Sequence, residues 1–154
     1  MTVDRERRDK LAELLRHFAA GRITNDQWDD AALPLVKTED PALLTAWGQM
    51  WHTYDDLHEH RLTGKHELPD EWRKLVARLI LFLYSDLPYE WPVNRRWRRW
   101  EVVLTLLTLG LFNPNPPLPH PMQDPANRAI WPFRRESDLA RVSASRPRLL
   151  GGAR

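Results

Sequence analysis

The stretch HTYDDLHEH, residues 52–60, gathers imidazoles and carboxylates at a spacing that suits a metal ion. On a helix, His52 with Asp56 and Asp55 with Glu59 are i,i+4 pairs, and the four side chains share one face. Such a mixed set takes zinc, manganese or iron, and would make the chain a metal-dependent hydrolase. Against that reading, the face lies opposite Trp47, Met50 and Tyr54, whereas metal sites in helical bundles project inward. The expectation is a solvated acidic face with no cofactor. A metal, if one binds, is held by His52, Asp55, Asp56 and Glu59. His58, His60 and His66 fall in the polar connection that follows, where Asp55, Glu59 and Arg61 can build a hydrogen-bonded network that fixes the loop.

A second stretch, NRRWRRW at 94–100, has the composition of a nucleic-acid grip. Helical spacing separates its two residue types. Trp97, Trp100, Leu104, Leu107 and Leu111 fall on one seam, so the tryptophans belong to the core. Arg95, Arg98 and Arg99 point away from the seam and Arg96 lies at its border. Four cations at a helix N-terminus oppose the macrodipole by ~0.3–1 kcal/mol each, so an anionic group must compensate. The candidates are the chain's own acidic half, an acidic protein partner, or a phosphate backbone. A nucleic-acid site would join these arginines to Arg134 and Arg135 as one patch.

Other chemistry is poorly supported. With no cysteine there is neither thiolate nucleophile nor disulfide, and no serine stands in a strained-turn motif. No glycine-rich loop is present to cradle a phosphate.

The elements that must position these residues are helical. Leu11, Leu14, Leu15 and Phe18 form one stripe of a helix from about Asp4 to Ala20, and Gly21 is placed to end it. In ITNDQW, Thr24 and Gln27 have capping-box spacing and Ile23 and Trp28 staple spacing, which predicts a sharp corner into a second helix. Asp40 and Pro41 open a third helix that the stripe Leu43, Trp47, Met50, Trp51, Tyr54 and Leu57 carries to about Leu57. A fourth starts at Pro69 and buries Trp72, Leu75, Val76, Leu79, Phe82 and Leu83. A fifth runs from about Arg95 to Leu111. Five prolines in NPNPPLPHP then demand an extended connection over 113–125. IWPFRRESDLARV docks back on the body, and 143–154 reads as a flexible tail.

The whole chain of 154 residues carries a net charge of +2, but unevenly. Residues 1–60 hold 7 Lys/Arg and 12 Asp/Glu, while residues 61–154 hold 16 and 9. The two halves attract each other, so an arginine cluster alone does not argue for nucleic acid. The N-terminus lacks the apolar core of a signal peptide, and Val102–Phe112 is well short of the ~20 residues a membrane span needs. A cytoplasmic, non-membrane location is expected.

Four stretches, GRITNDQWDD, DDLHEHRLTGKHEL, ILFLYSDLPYEWP and WPFRRESDLA, together resemble a group of small bacterial proteins of unknown function. The resemblance touches most of the chain between residues 11 and 141. It implies a bacterial cytosolic origin and that WPF belongs to the domain, and it carries over no catalytic or binding residue.

The sequence thus predicts one all-α domain over 1–142, an irregular bundle of about five helices with a proline-rich crossover and a docked C-terminal segment. Separated charge, eight tryptophans and the lack of an assembled catalytic set point to a non-enzymatic interaction protein. Its expected partner is another protein, as for bacterial immunity or accessory proteins. Arg95, Arg96, Arg98, Arg99, Arg134 and Arg135 are the binding candidates.

Overall fold

Asp4 begins the first helix by accepting the Arg7 amide on its side chain, which satisfies one of the free N–H groups of the first turn. The structure, a computed structural model, describes residues 2–55, 57–92 and 120–145. Helix α1, Arg5–Ala19, turns Leu11, Ala12, Leu15 and Phe18 inward. Its C-terminus closes as the sequence predicts: Gly21 takes φ +65°, and the amides of Gly21 and Arg22 return to the carbonyls of Phe18 and His17. Thr24 and Gln27 then form the reciprocal capping box of α2, Asn25–Ala32. Trp28 is buried from this corner and stacks on Phe18 at 5.3 Å.

Helix α3, Pro41–Met50, starts where expected, with the Asp40 carboxylate accepting the Ala42 amide. It ends seven residues before the expected Leu57. Thr53 places both its amide and its hydroxyl on the Met50 carbonyl, and Asp55 accepts the Leu57 amide in a tight turn, so the chain leaves the helical path. The apolar stripe splits accordingly: Leu43 and Met50 are buried, Trp47 and Tyr54 are half-buried, and Trp51 and Leu57 face solvent.

Helix α4, Asp70–Leu83, supplies the longest buried face, from Leu75 to Leu83, and packs against α1, α3 and the C-terminal helix. At the chain's far end, a four-residue helix α5, Pro125–Arg128, and helix α6, Glu136–Ser145, flank the segment that docks. Trp131 and Phe133 are completely buried, and Phe133 meets Phe82 edge to face at 5.2 Å. Polar bonds lock this segment in place. Trp91 donates to the Pro132 carbonyl at 3.0 Å, Trp131 to the Tyr89 hydroxyl at 3.3 Å, and Arg78 to the Trp131 carbonyl at 3.0 Å.

The described residues form an irregular all-α bundle with no β-strand. Two boundaries move. Within the expected extended connection, Pro121–Gln123 forms a 3₁₀ turn and Pro125 opens α5, because a proline at a first helical position sacrifices no needed amide. Residues 143–145, expected in the tail, are the last turn of α6. The fifth helix expected over 95–111 lies outside the described residues. No helix among the described residues is long and apolar enough to cross a membrane.

Candidate functional site

The segment between α3 and α4 has little regular structure of its own, so its shape is set by what it is tied to. The tie is Asn25, a buried side chain at the start of α2. Its amide nitrogen donates to the carbonyls of Asp55 at 3.1 Å and His58 at 3.2 Å, and its oxygen accepts the His60 amide at 2.8 Å. The Asn25 backbone amide donates to the His60 carbonyl, so both backbone groups of His60 are held by one residue. Around this clamp Thr24 donates to Glu59 at 2.8 Å, and Arg61 donates to the carbonyls of Gly21 and Arg22. The network expected from Asp55, Glu59 and Arg61 therefore exists, and the α1–α2 corner is its anchor.

One turn later the chain comes back. Gly64, at φ +58°, lets it reverse into the 3₁₀ turn Gly64–His66, which lays the His66 ring on that of His60 with centroids 4.1 Å apart. Asp55 approaches from the other side. Asp55, His60 and His66 each offer one ligand atom within 4.8 Å of the other two. The Leu57 amide, joined by the His58 amide and the nearby His60 and His58 rings, holds the Asp55 carboxyl below its ordinary value despite the opposing effect of burial. The site presents a carboxylate and two imidazoles, a donor set suited to borderline divalent metals.

This is not the set expected from the sequence. Because α3 stops at Met50, His52, Asp55 and Glu59 do not share a helical face. Among the described residues of that set, only Asp55 joins the cluster. His52 is exposed on the turn after α3, where it opposes protonation of His120, whose pKa is lowered chiefly by burial. Glu59 is engaged by Thr24, and Asp56 lies outside the described residues. His60 and His66, read as loop residues, are the members the sequence reasoning missed. Their separation of six is not a helical one but falls at the long end of the H-x3–5-H spacing of zinc sites, which is the signal that could have found them, and the Gly64 reversal brings the two rings together.

The arginine candidates divide in the same way. Arg95, Arg96, Arg98 and Arg99 lie outside the described residues. Arg134 rests its guanidinium over the Trp91 ring at 4.3 Å, and Arg135 pairs with Glu90 at 3.7 Å and Asp138 at 3.6 Å. Both arginines are exposed, and each already has an aromatic or acidic neighbour within the chain. Compared with models of known protein families, with curated proteins and with solved structures, the chain shows no match.

Proposed function

We propose that the protein is a non-enzymatic interaction protein acting in the cytoplasm, and that the segment after α3 is its contact surface for another protein. One observation carries this reading: a loop pinned through Asn25 nevertheless holds Leu57 84% exposed, six residues after Trp51, itself 47% exposed. Trp51 packs only edge to face on Trp47, with centroids 5.4 Å apart, and Leu57 has no aromatic contact and no place in the buried core among the described residues. Leu44, 51% exposed and two helical turns before Trp51, extends the apolar character along α3. A leucine moved fully out of water gains ~1.5–3 kcal/mol, and tryptophan is among the residues that dominate binding energy. A loop already fixed in shape loses little freedom on binding, so more of that gain is realised as affinity.

The test is site-specific photocrosslinking in the native host. A photoreactive phenylalanine at position 51 or 57 is expected to trap the same discrete protein, whereas one at the exposed Lys74 of α4 traps none. Identical products from all three positions would defeat the assignment of this surface.

A further inference from the structure

The α3–α4 loop holds a second feature that protein binding does not use. His60 Nδ1 lies 2.8 Å from the His58 carbonyl oxygen. A carbonyl oxygen can only accept, so Nδ1 carries a proton, and in the neutral ring Nε2 is left with a lone pair. That Nε2 is buried and has no hydrogen-bond partner. A buried acceptor without a donor costs about 1–3 kcal/mol, and it calls for an explanation. A ring fixed by one nitrogen on a backbone carbonyl, with the other nitrogen free, is the arrangement that metal-binding histidines adopt.

We propose that Asp55, His60 and His66 bind a divalent cation of the zinc class, with His60 coordinating through Nε2 and at least one position left open. The three ligand atoms already lie within 4.8 Å of one another. Zinc bonds of about 2.0–2.1 Å at tetrahedral angles bring ligands to about 3.3 Å apart. The difference is covered by turning the exposed Asp55 carboxylate, whose Oδ1 accepts the Leu57 amide and whose Oδ2 can turn toward the ion, and by rotating His66, which is half-buried and whose ring no described residue hydrogen-bonds. His60 need not move, since Asn25 holds its backbone and His58 its ring. Asp55 brings the negative charge that favours a cation. The ion would join the beginning of the loop to the turn that leads into α4. It would therefore staple the segment at both ends, whether or not that segment also binds a protein.

The experiment uses the full chain purified without a histidine tag. Co²⁺ is titrated in while visible ligand-field absorption is followed, and Zn²⁺ is then added as competitor. One ion per chain is expected, giving the intense bands of a low-coordinate site that Zn²⁺ abolishes. His66→Ala and Asp55→Asn should each weaken binding about 10–100-fold or more, because even losing a residue that only supports a ligand costs that much. His52→Ala, outside the cluster, should change nothing. Circular dichroism establishes that each variant is folded, and imidazole NMR of the wild-type chain gives a readout that needs no variant: Zn²⁺ should shift the His60 and His66 ring signals and leave His17 unmoved. Absence of Co²⁺ and Zn²⁺ binding, binding unaffected by His66→Ala and Asp55→Asn, or ring shifts confined to other histidines would each overturn the proposal.

Discussion

Arg8 and Asp40 form a two-pronged ion pair in the interior: Nε lies 2.6 Å from Oδ2, Nη2 lies 2.9 Å from Oδ1, and both side chains are 1% exposed. The remaining valences are filled as well. Arg8 donates to the carbonyls of Ser85 and Leu87 beyond α4, and Asp40 accepts the amides of Asp4 and Ala42. One pair thus ties the start of α1 and the cap of α3 to the chain leaving α4.

Removing one partner should therefore be severe. Arg8→Met or Asp40→Ala leaves the other charge buried alone, and each is expected to lose about 3–5 kcal/mol in urea unfolding. The double variant should lose clearly less than the two singles combined. Additive losses would show that the two residues act independently.

The same pair sets a pH dependence. Burial pushes the Asp40 carboxyl up, but the Arg8 hydrogen bonds and charge, with the Asp4 and Ala42 amides, outweigh it and hold the carboxyl below its ordinary value. A depressed carboxylate contributes stability fully above its unfolded pKa of about 3.9 and loses it as pH falls through the folded value. Wild-type stability should thus drop more steeply below about pH 4 than that of Asp40→Asn, which lacks the titrating group. Parallel acid limbs in thermal melts of the two proteins would contradict this.

At the α1–α2 corner, Thr24→Ala removes both the cap of α2 and the hydroxyl bound to Glu59. A loss of about 1 kcal/mol is expected, with Thr24→Ser close to wild type. An unchanged melting temperature for Thr24→Ala would mean that the box does not support the corner.

Asn25→Ala should act at a distance from its own helix. It strands the His60 amide and the carbonyls of Asp55 and His58, for an expected loss of about 1–3 kcal/mol. Hydrogen exchange should accelerate at the His60 amide, while the middle of α1 stays protected. Uniform acceleration would show that Asn25 supports the whole fold and not this loop in particular.

Two glycines should respond in opposite directions. At Gly21 an added Cβ meets Thr63 Cγ2 at 2.4 Å on a backbone at φ +65°, so Gly21→Ala should cost at least about 1–2 kcal/mol. Gly48, inside α3 with nothing within 4 Å of the new carbon, should gain about 0.5–1 kcal/mol as alanine. Thermal melts of both single variants decide the matter.

What could be read from the sequence was local. Gly21, Thr24, Gln27, Asp40 and Pro41 each act on groups within about four residues, so type and spacing suffice. The end of α3 could not be read that way, because Trp51, Tyr54 and Leu57 continue the helical period after its hydrogen bonds have stopped. The winning interactions come from elsewhere: Asn25, at 30 and 33 residues' separation, takes the Asp55 and His58 carbonyls, and the Asp55 carbonyl is one a continuing helix would need for Glu59. That displacement turned an expected helical face into a loop and left Asp55 beside His60 and His66, with His52 and Glu59 turned to other neighbours. Arg8 was hidden for the same reason. In RERRDK it resembles its neighbours, and only the arrival of Asp40, 32 positions later, allows it to be buried.

The docking of Trp131 and Phe133 has a temporal side. Synthesis runs from the N-terminus, and Trp91 must wait for the Pro132 carbonyl, 41 residues further along, before its own ring nitrogen is satisfied. At about 5–20 residues per second, the ribosome takes roughly 2–8 s to make that stretch. During that interval Phe82 and Tyr89 have been translated but lack the aromatic partners that complete their side of the core. A chain terminated between Trp91 and Trp131 would keep the sequences of α1 to α4 but lack Trp131 and Phe133, which would leave the apolar faces of Phe82, Tyr89 and Trp91 open to proteolysis.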